Sequence, residues 1–333
     1  MKSNVLVIAA LIALGACSQK SQPAASGTPI RFATDWRAQA EQGGFYEALA
    51  TGEYAKRGLN VRIIPGGPEV NVPVMVASGE VEMGDGSNSF IVANLAAGHD
   101  PVQAVAAFMQ KDPQVLLAHP DVGINSIADM KGHPILLSDA SKTAFWLWLK
   151  PKYGFSDSQV RAYSGSNSQF LVEKETVQEG YLTSEPYTIA KEGHLIPKVF
   201  LLADEGYPSY AAMVLANSKL IQSNPAAVRA FVEASAVGWK NYLHGDPAPA
   251  DALILKDNPE MTEDVLAQAR DKMRANGIVD GGDAATAGIG AMTDARWAAF
   301  YKTASEQDPK DYPTDVDIKG AYSLSFLPQP PVK

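Results

Sequence analysis

Cysteine is almost missing from the 333-residue chain: Cys17 is the only one. A lone cysteine excludes disulfides within the chain, and one so near the start removes thiolate catalysis and cysteine-based metal sites from the folded part. Positive charge is also in short supply. Lys and Arg number 28 against 37 Asp and Glu, for a net charge of -9. That balance argues against nucleic acid, which needs a basic surface. The five histidines, His99, His119, His133, His194 and His244, are scattered without metal-ligand spacing. There is no Gly-x-Ser-x-Gly elbow, no P-loop, and no Gly-x-Gly-x-x-Gly after a strand. Gly288-Ile289-Gly290 is an isolated fragment of the last pattern.

What is present begins with a leader. Lys2 supplies a positive charge, and Val5 to Leu14 is an apolar run too short to span a bilayer. It ends in Leu14-Gly15-Ala16-Cys17, followed by a Ser/Gln/Pro/Ala stretch to Gly27. Residues 1–16 read as a signal peptide and 17–28 as a flexible tether. The Leu14 to Cys17 sequence resembles a bacterial lipobox. That resemblance implies lipidation at Cys17 and a membrane-anchored lipoprotein of the periplasm or cell surface. An ordinary secretory signal with a chance cysteine is the bland alternative. Several acyl chains on one cysteine anchor a protein stably.

The folded part opens with a strand–helix–strand unit from Arg31 to Pro68, with a helix expected from about Gly44 to Arg57. Helices follow at Val70 to Gly79 and Phe90 to Gly98, and strands at 81–84, 102–109 and 114–119. Strand and helix alternate, so the class is α/β with a mainly parallel sheet. A second series runs from Ser126: strands near 134–138, 160–163, 199–202 and 211–216, with helices between. The last hundred residues read as amphipathic helices; Asn224-Pro225 is a cap and first-position pair. The expected organisation is two lobes, 29–118 with 216–333 and 119–215, joined by two crossovers that form a hinge. No internal repeat is evident beyond this shared pattern.

Ligands of open parallel sheets sit beyond the carboxyl ends of the strands. The first lobe offers Asp35, Trp36, Gly67, Ser87, Asn88 and Gln110 at such ends, and the second offers Asp139, Ser141, Tyr163, Glu185 and Tyr187. Tyr46 on the first helix and Trp146 near a helix start are further candidates. Aromatic faces stack on a planar ligand and a few polar groups orient it. Each residue has a structural alternative. Trp36 fits a lobe-interface core, and Ser87, Asn88 and Asp139 fit helix caps. Glu185 precedes Pro186, which favours extended backbone. No residue set calls for a cofactor, a metal or catalysis.

Several segments resemble one family in order and spacing. They are Asp35-Trp36, Gly44-Phe45-Tyr46, Gly58-Leu59-Asn60-Val61 and Val76-Ala77-Ser78-Gly79. Ile127 to Gly132 and Gly180 to Tyr187 complete the series. The chain resembles, from about residue 29 to 320, the solute-binding proteins of ABC importers in the thiamine-pyrimidine-precursor, sulfonate, taurine and nitrate group. The resemblance implies a type II periplasmic-binding fold, a monomer that closes on its ligand, and permease and ATPase partners. The pyrimidine-precursor branch is nearest, by the Asp-Trp pair and the Glu-Pro element. That branch tends to carry His before the Gly of the first helix; here stands Gln42-Gly43-Gly44. Asp139 and Glu185 would repel an anion and accept from N–H groups, so the expected ligand is a neutral or weakly cationic nitrogen heterocycle. Ser141 and Lys142 keep a sulfonate- or nitrate-type anion as the alternative. An enzyme branch that builds the thiamine pyrimidine from its own His and Lys is disfavoured by the leader and by the lack of such a pair. A sensing role in place of transport stays open.

Overall fold

The computed structural model describes residues 27–67, 69–310, 312–314 and 318–333. The leader, Cys17 and most of the tether lie outside them. Ten strands are present among the described residues: β1 Thr28–Ala33, β2 Leu59–Ile64, β3 Met83–Ser87, β4 Val102–Met109, β5 Gln114–Ala118, β6 Ile135–Leu137, β7 Val160–Ala162, β8 Val177–Tyr181, β9 Lys198–Leu201 and β10 Ala211–Asn217. They form two five-stranded sheets, ordered β2-β1-β3-β10-β4 and β7-β6-β8-β5-β9. The two orders match position for position. In each sheet one strand runs against its neighbours: β10 in the first and β5 in the second. Each is the first strand the chain lays down after crossing from the other sheet. The crossings therefore fall between Met109 and Gln114 and between Leu201 and Ala211. Both precede the expected boundaries at 118/119 and 215/216, because β5 and β10 already pair within the sheet they enter.

The helices on the first sheet are α1 Gly43–Ala50, α2 Glu53–Lys56, α3 Val72–Ser78 and α4 Ser89–Ala97. The expected single helix over 44–57 is two, broken where Gly52 takes φ 73°. The second sheet carries α5 Asp139–Lys142, α6 Phe145–Tyr153, α7 Ser168–Val172 and α8 Glu185–Gly193. The C-terminal part holds α9 Ser218–Ser223, α10 Pro225–His244, α11 Ala248–Asp257, α12 Glu263–Ala275, α13 Ala284–Ala287 and α14 Asp294–Gln307. Asn224 caps α10 by accepting from the Ala227 N–H at 3.1 Å, as the Asn-Pro pair predicts. None of the described helices is long and apolar enough to cross a membrane.

Helix α1 is pressed between α10 and α11. Its aromatic residues join a core of Phe32, Phe108, Phe231 and Trp239, with Phe32 and Phe45 centroids 4.7 Å apart. The second lobe has a core of its own around Val115, Leu117, Leu136, Phe170 and Ile189. A further core runs between the lobes, joining Phe90 of the first to Trp148 of the second through Tyr207, with Leu116, Ile135 and Phe300 in the same cluster.

Candidate functional site

The strand ends of both sheets open on one cavity of about 650 Å³. It lies within the usual range for small-molecule sites. Eight of the thirteen residues expected to contact a ligand line it: Asp35, Trp36, Gly67, Asn88, Asp139, Ser141, Tyr163 and Glu185. Ser87 ends β3 between Gly86 and Asn88, which both line the cavity; its side chain lies outside the described residues.

Local geometry explains the placements. After β1 the chain turns so that the Thr34 hydroxyl and the Gly66 N–H both donate to the Trp36 carbonyl, at 2.9 and 3.0 Å. This fixes Asp35 and Trp36 at the cavity wall. The Trp36 ring reaches across to the second lobe, where a Cβ added to Gly165 would lie 3.1 Å from it. Gly86, at φ +109°, leaves room for the Asp35 carboxyl; a Cβ there would sit 2.1 Å from it. Asn88 caps α4, accepting from Phe90 and Ile91 N–H at 3.0 and 3.1 Å. It therefore caps a helix and lines the cavity at once.

In the second lobe the cap of α5 is Ser138, not Asp139. Asp139 is exposed and pairs with Lys142 Nζ at 2.7 Å, so its charge is partly answered before any ligand arrives. Glu185 is not extended. It opens α8 with Pro186 in the first turn, where a missing N–H costs nothing. Its Oε2 accepts from the Tyr181 N–H at 2.7 Å and its Oε1 from the Tyr163 hydroxyl at 3.4 Å. Gly180 must stay small, because a Cβ there would lie 2.7 Å from Glu185 Cβ.

Four expected contacts stand elsewhere. Tyr46 is buried in the first lobe and donates to Asp257 at 3.0 Å, since α10 and α11 cover both faces of its helix. Neither it nor Phe45 reaches the cavity. Trp146 points into the second lobe, stacks on Phe155 at 5.8 Å and donates to Asp157 at 2.8 Å. Its neighbour Phe145 takes the cavity position. Gln110 is buried at the first crossing and donates to the Ala107 and Ala291 carbonyls, both at 2.8 Å. Tyr187 donates to Asp264 on α12 at 2.6 Å and so ties the second lobe to a C-terminal helix.

Among the residues not expected, Gln42, Asp112, Gln114 and Glu179 line the cavity, along with apolar residues such as Val72, Ile91 and Leu95. Burial raises Asp35 to about 6 and Asp112 and Glu179 to about 7. It also raises Glu185 above the ordinary carboxylate range. Behind Asp35, Asp85 is pushed up by burial and then by the Asp35 charge. Beside the cavity, Glu41 is raised to about 7 by burial. It accepts from the Thr183 hydroxyl across the two lobes. Buried carboxyls of this kind both donate and accept near neutral pH. The lining holds Asp35, Glu69, Asp100, Asp112, Asp139, Glu179 and Glu185, and no Lys, Arg or His among the described residues. No group of three or more His, Cys, Asp or Glu among the described residues is placed to hold a metal ion.

Two α/β lobes joined by two crossings, with a polar and aromatic cleft between them, define a type II periplasmic-binding fold. The chain belongs to the NMT1/THI5-like family, whose model matches residues 39–250. It is 27% identical over 284 residues to the riboflavin-binding protein RibY of Chloroflexus aurantiacus, covering 78% of this chain and 80% of that one. Among solved structures it resembles the periplasmic aliphatic sulphonate-binding protein SsuA of Escherichia coli. There the TM-score is 0.64 and the identity 16%, over 88% of this chain and 91% of that one. The alkanesulfonate-binding SsuA of Xanthomonas axonopodis pv. citri, bound to MOPS, gives TM-score 0.64 and 13% identity, over 90% and 99%. At these identities the two structures speak to the fold.

Proposed function

We propose that the chain is the extracytoplasmic solute-binding component of an ABC importer, and that its cleft takes a neutral or weakly cationic planar nitrogen heterocycle. The thiamine-pyrimidine precursors and the flavins belong to that chemical class. The observation that carries the reading is the charge of the lining: seven carboxyl side chains and no basic residue among those described. An anion entering such a site finds hydroxyl and amide donors, but no cation among the described lining residues and seven carboxyls whose ionised forms repel it. A heterocycle with ring N–H or amino groups meets acceptors along its edges and Trp36, Tyr163 and Phe145 at its faces. The riboflavin-binding relative fits the same class. The sulfonate-binding structures share the fold, but in this lining an anion would lie among seven carboxyls with no cation to offset them among the described residues.

In this reading the cleft binds without turnover, a monomer closes by hinge motion, and the closed form docks on a permease with its ATPase. Acyl chains on Cys17 hold it at the membrane through the tether. A thermal-shift screen tests the ligand class, since a ligand selective for the folded form raises its melting point. Pyrimidines or flavins should raise it and should be recovered unchanged. A shift with alkanesulfonates or nitrate alone would overturn the assignment.

A further inference from the structure

Two buried acceptors line the cleft without a hydrogen-bond partner. Gln42 Oε1 belongs to a side chain 3% exposed and Glu179 Oε2 to one 5% exposed. They come from opposite lobes. Gln42 ends a 3-10 turn, Ala40–Gln42, in front of α1, and Glu179 lies in β8. The Glu179 carboxyl is held in place, because its Oε1 accepts from the Ser138 N–H at 2.8 Å. Oε2 has no donor of its own, although the Ser141 and Ser138 hydroxyls lie beside the same carboxyl. Other unpaired buried acceptors, such as those of Gln178, Asp85 and Gln110, are not among the residues lining the cleft. Buried acceptors in folded proteins nearly always have a donor, so an unanswered one at a cavity wall marks where a ligand brings it.

We propose that the cleft selects a ligand bearing N–H donors on two edges, one for Glu179 and one for Gln42, and that this pair sets specificity. The inference rests on the heterocycle reading above and narrows it. A two-edged donor would bridge the lobes and satisfy both acceptors only when they close together. A one-edged donor leaves one acceptor buried and unpaired, which is how polar sites reject near-isosteres. The carboxylate form of Glu179 is the better acceptor, and burial raises its pKa to about 7. Binding below that pH therefore displaces a proton.

Calorimetry on the purified full chain tests the pair, with 2,5-diaminopyrimidine, whose amino groups lie at opposite ends of the ring, as the two-edged probe and 2-aminopyrimidine as the one-edged probe. The wild type should prefer the diamine by roughly tenfold or more, the value of one hydrogen bond to a buried acceptor. Glu179→Gln keeps an acceptor for Ser138 but turns a donor toward the ligand, and Gln42→Met removes the other acceptor. Each should abolish most of the preference. Equal affinity of the two probes for the wild type, which needs no variant to fold, overturns the two-edge inference and leaves the heterocycle reading standing. Full preference retained in both variants likewise overturns it. Binding of neither probe, with a sulfonate bound instead, overturns both readings.

Discussion

The guanidinium of Arg296 lies over the ring of Tyr210, with its central carbon 3.9 Å from the ring centroid. From there Nη2 donates to the Gln110 carbonyl in one crossing and to the Ser209 carbonyl, at 3.2 Å, in the other. One side chain on α14 thus fastens both connections between the lobes. Its field also reaches Asp112, a cleft residue.

Arg296→Met should therefore cost on the order of 2–4 kcal/mol, because two buried carbonyls lose a charged donor. Arg296→Lys keeps the charge but not the planar fork, and should fall between the two. Urea unfolding measures both. A methionine variant as stable as the wild type would show that the crossings need no such fastening.

Trp36→Ala and Glu185→Gln should each weaken ligand binding by roughly 10- to 100-fold, the range for one aromatic face or one charged hydrogen bond. Trp36 is the safer test, since Glu185 also receives the Tyr181 N–H and shapes the turn into α8. Titration calorimetry with the best hit of the thermal screen reads the loss. Unchanged affinity in both variants sinks the site.

The acidic cleft predicts an unusual pH profile for the unliganded protein. Asp35 is raised to about 6, and Glu41, Asp112 and Glu179 to about 7, in the folded state. In the unfolded chain such groups titrate near 4. The folded form holds these protons longer, so their stabilising contribution is full below about pH 4 and disappears as pH rises through about 6 to 7. The melting temperature should fall between about pH 5 and 8, and Glu179→Gln and Asp112→Asn should each remove part of the slope. Asp157, held low by the Trp146 indole N–H and Lys150, acts in the opposite sense at lower pH. A melting temperature flat across that range contradicts the burial argument.

Helices α1 and α10 meet at glycine. A Cβ on Gly44 would lie 2.1 Å from the Trp239 ring, and one on Gly238 would lie 2.2 Å from the Gly44 carbonyl oxygen. Gly238→Ala should destabilise the fold by roughly 1–3 kcal/mol or more, through overpacking against backbone that has nowhere to go. It should also weaken ligand binding, because α1 carries Gln42 at its start. Denaturant midpoints and calorimetry on one preparation separate the two effects.

Cys17→Ala should yield a protein that takes no fatty-acid label and leaves the membrane fraction. Metabolic labelling with an acyl probe checks it. A labelled variant rules out Cys17 as the acylated residue.

Much of the cleft was legible because strand ends announce themselves: a β-rich run stops at Asp35-Trp36, or at Asn88, and polar residues gather there. Three of the four misplaced residues, Tyr46, Trp146 and Tyr187, sit on helices, and Gln110 sits in the first crossing. Tyr46 and Trp146 each have two plausible faces, and only the partners of α1 and α6 decide which one is covered. Glu185 looked extended because of Pro186, yet a proline in a first turn is as compatible with a helix start. Glu179 gave no warning at all. It is a mid-strand carboxylate in a polar stretch, and nothing in Val177 to Tyr181 says that both sides of that strand are enclosed. Gln42 did carry a signal, as the departure from histidine at the entrance to the first helix.

Strands β4 and β10 lie side by side in one sheet, and their continuations β5 and β9 lie side by side in the other. The lobes are therefore joined by two neighbouring connections, not by a single cord. If the proposed hinge motion occurs, such a paired connection would favour one bending axis and bring Trp36 back against Gly165.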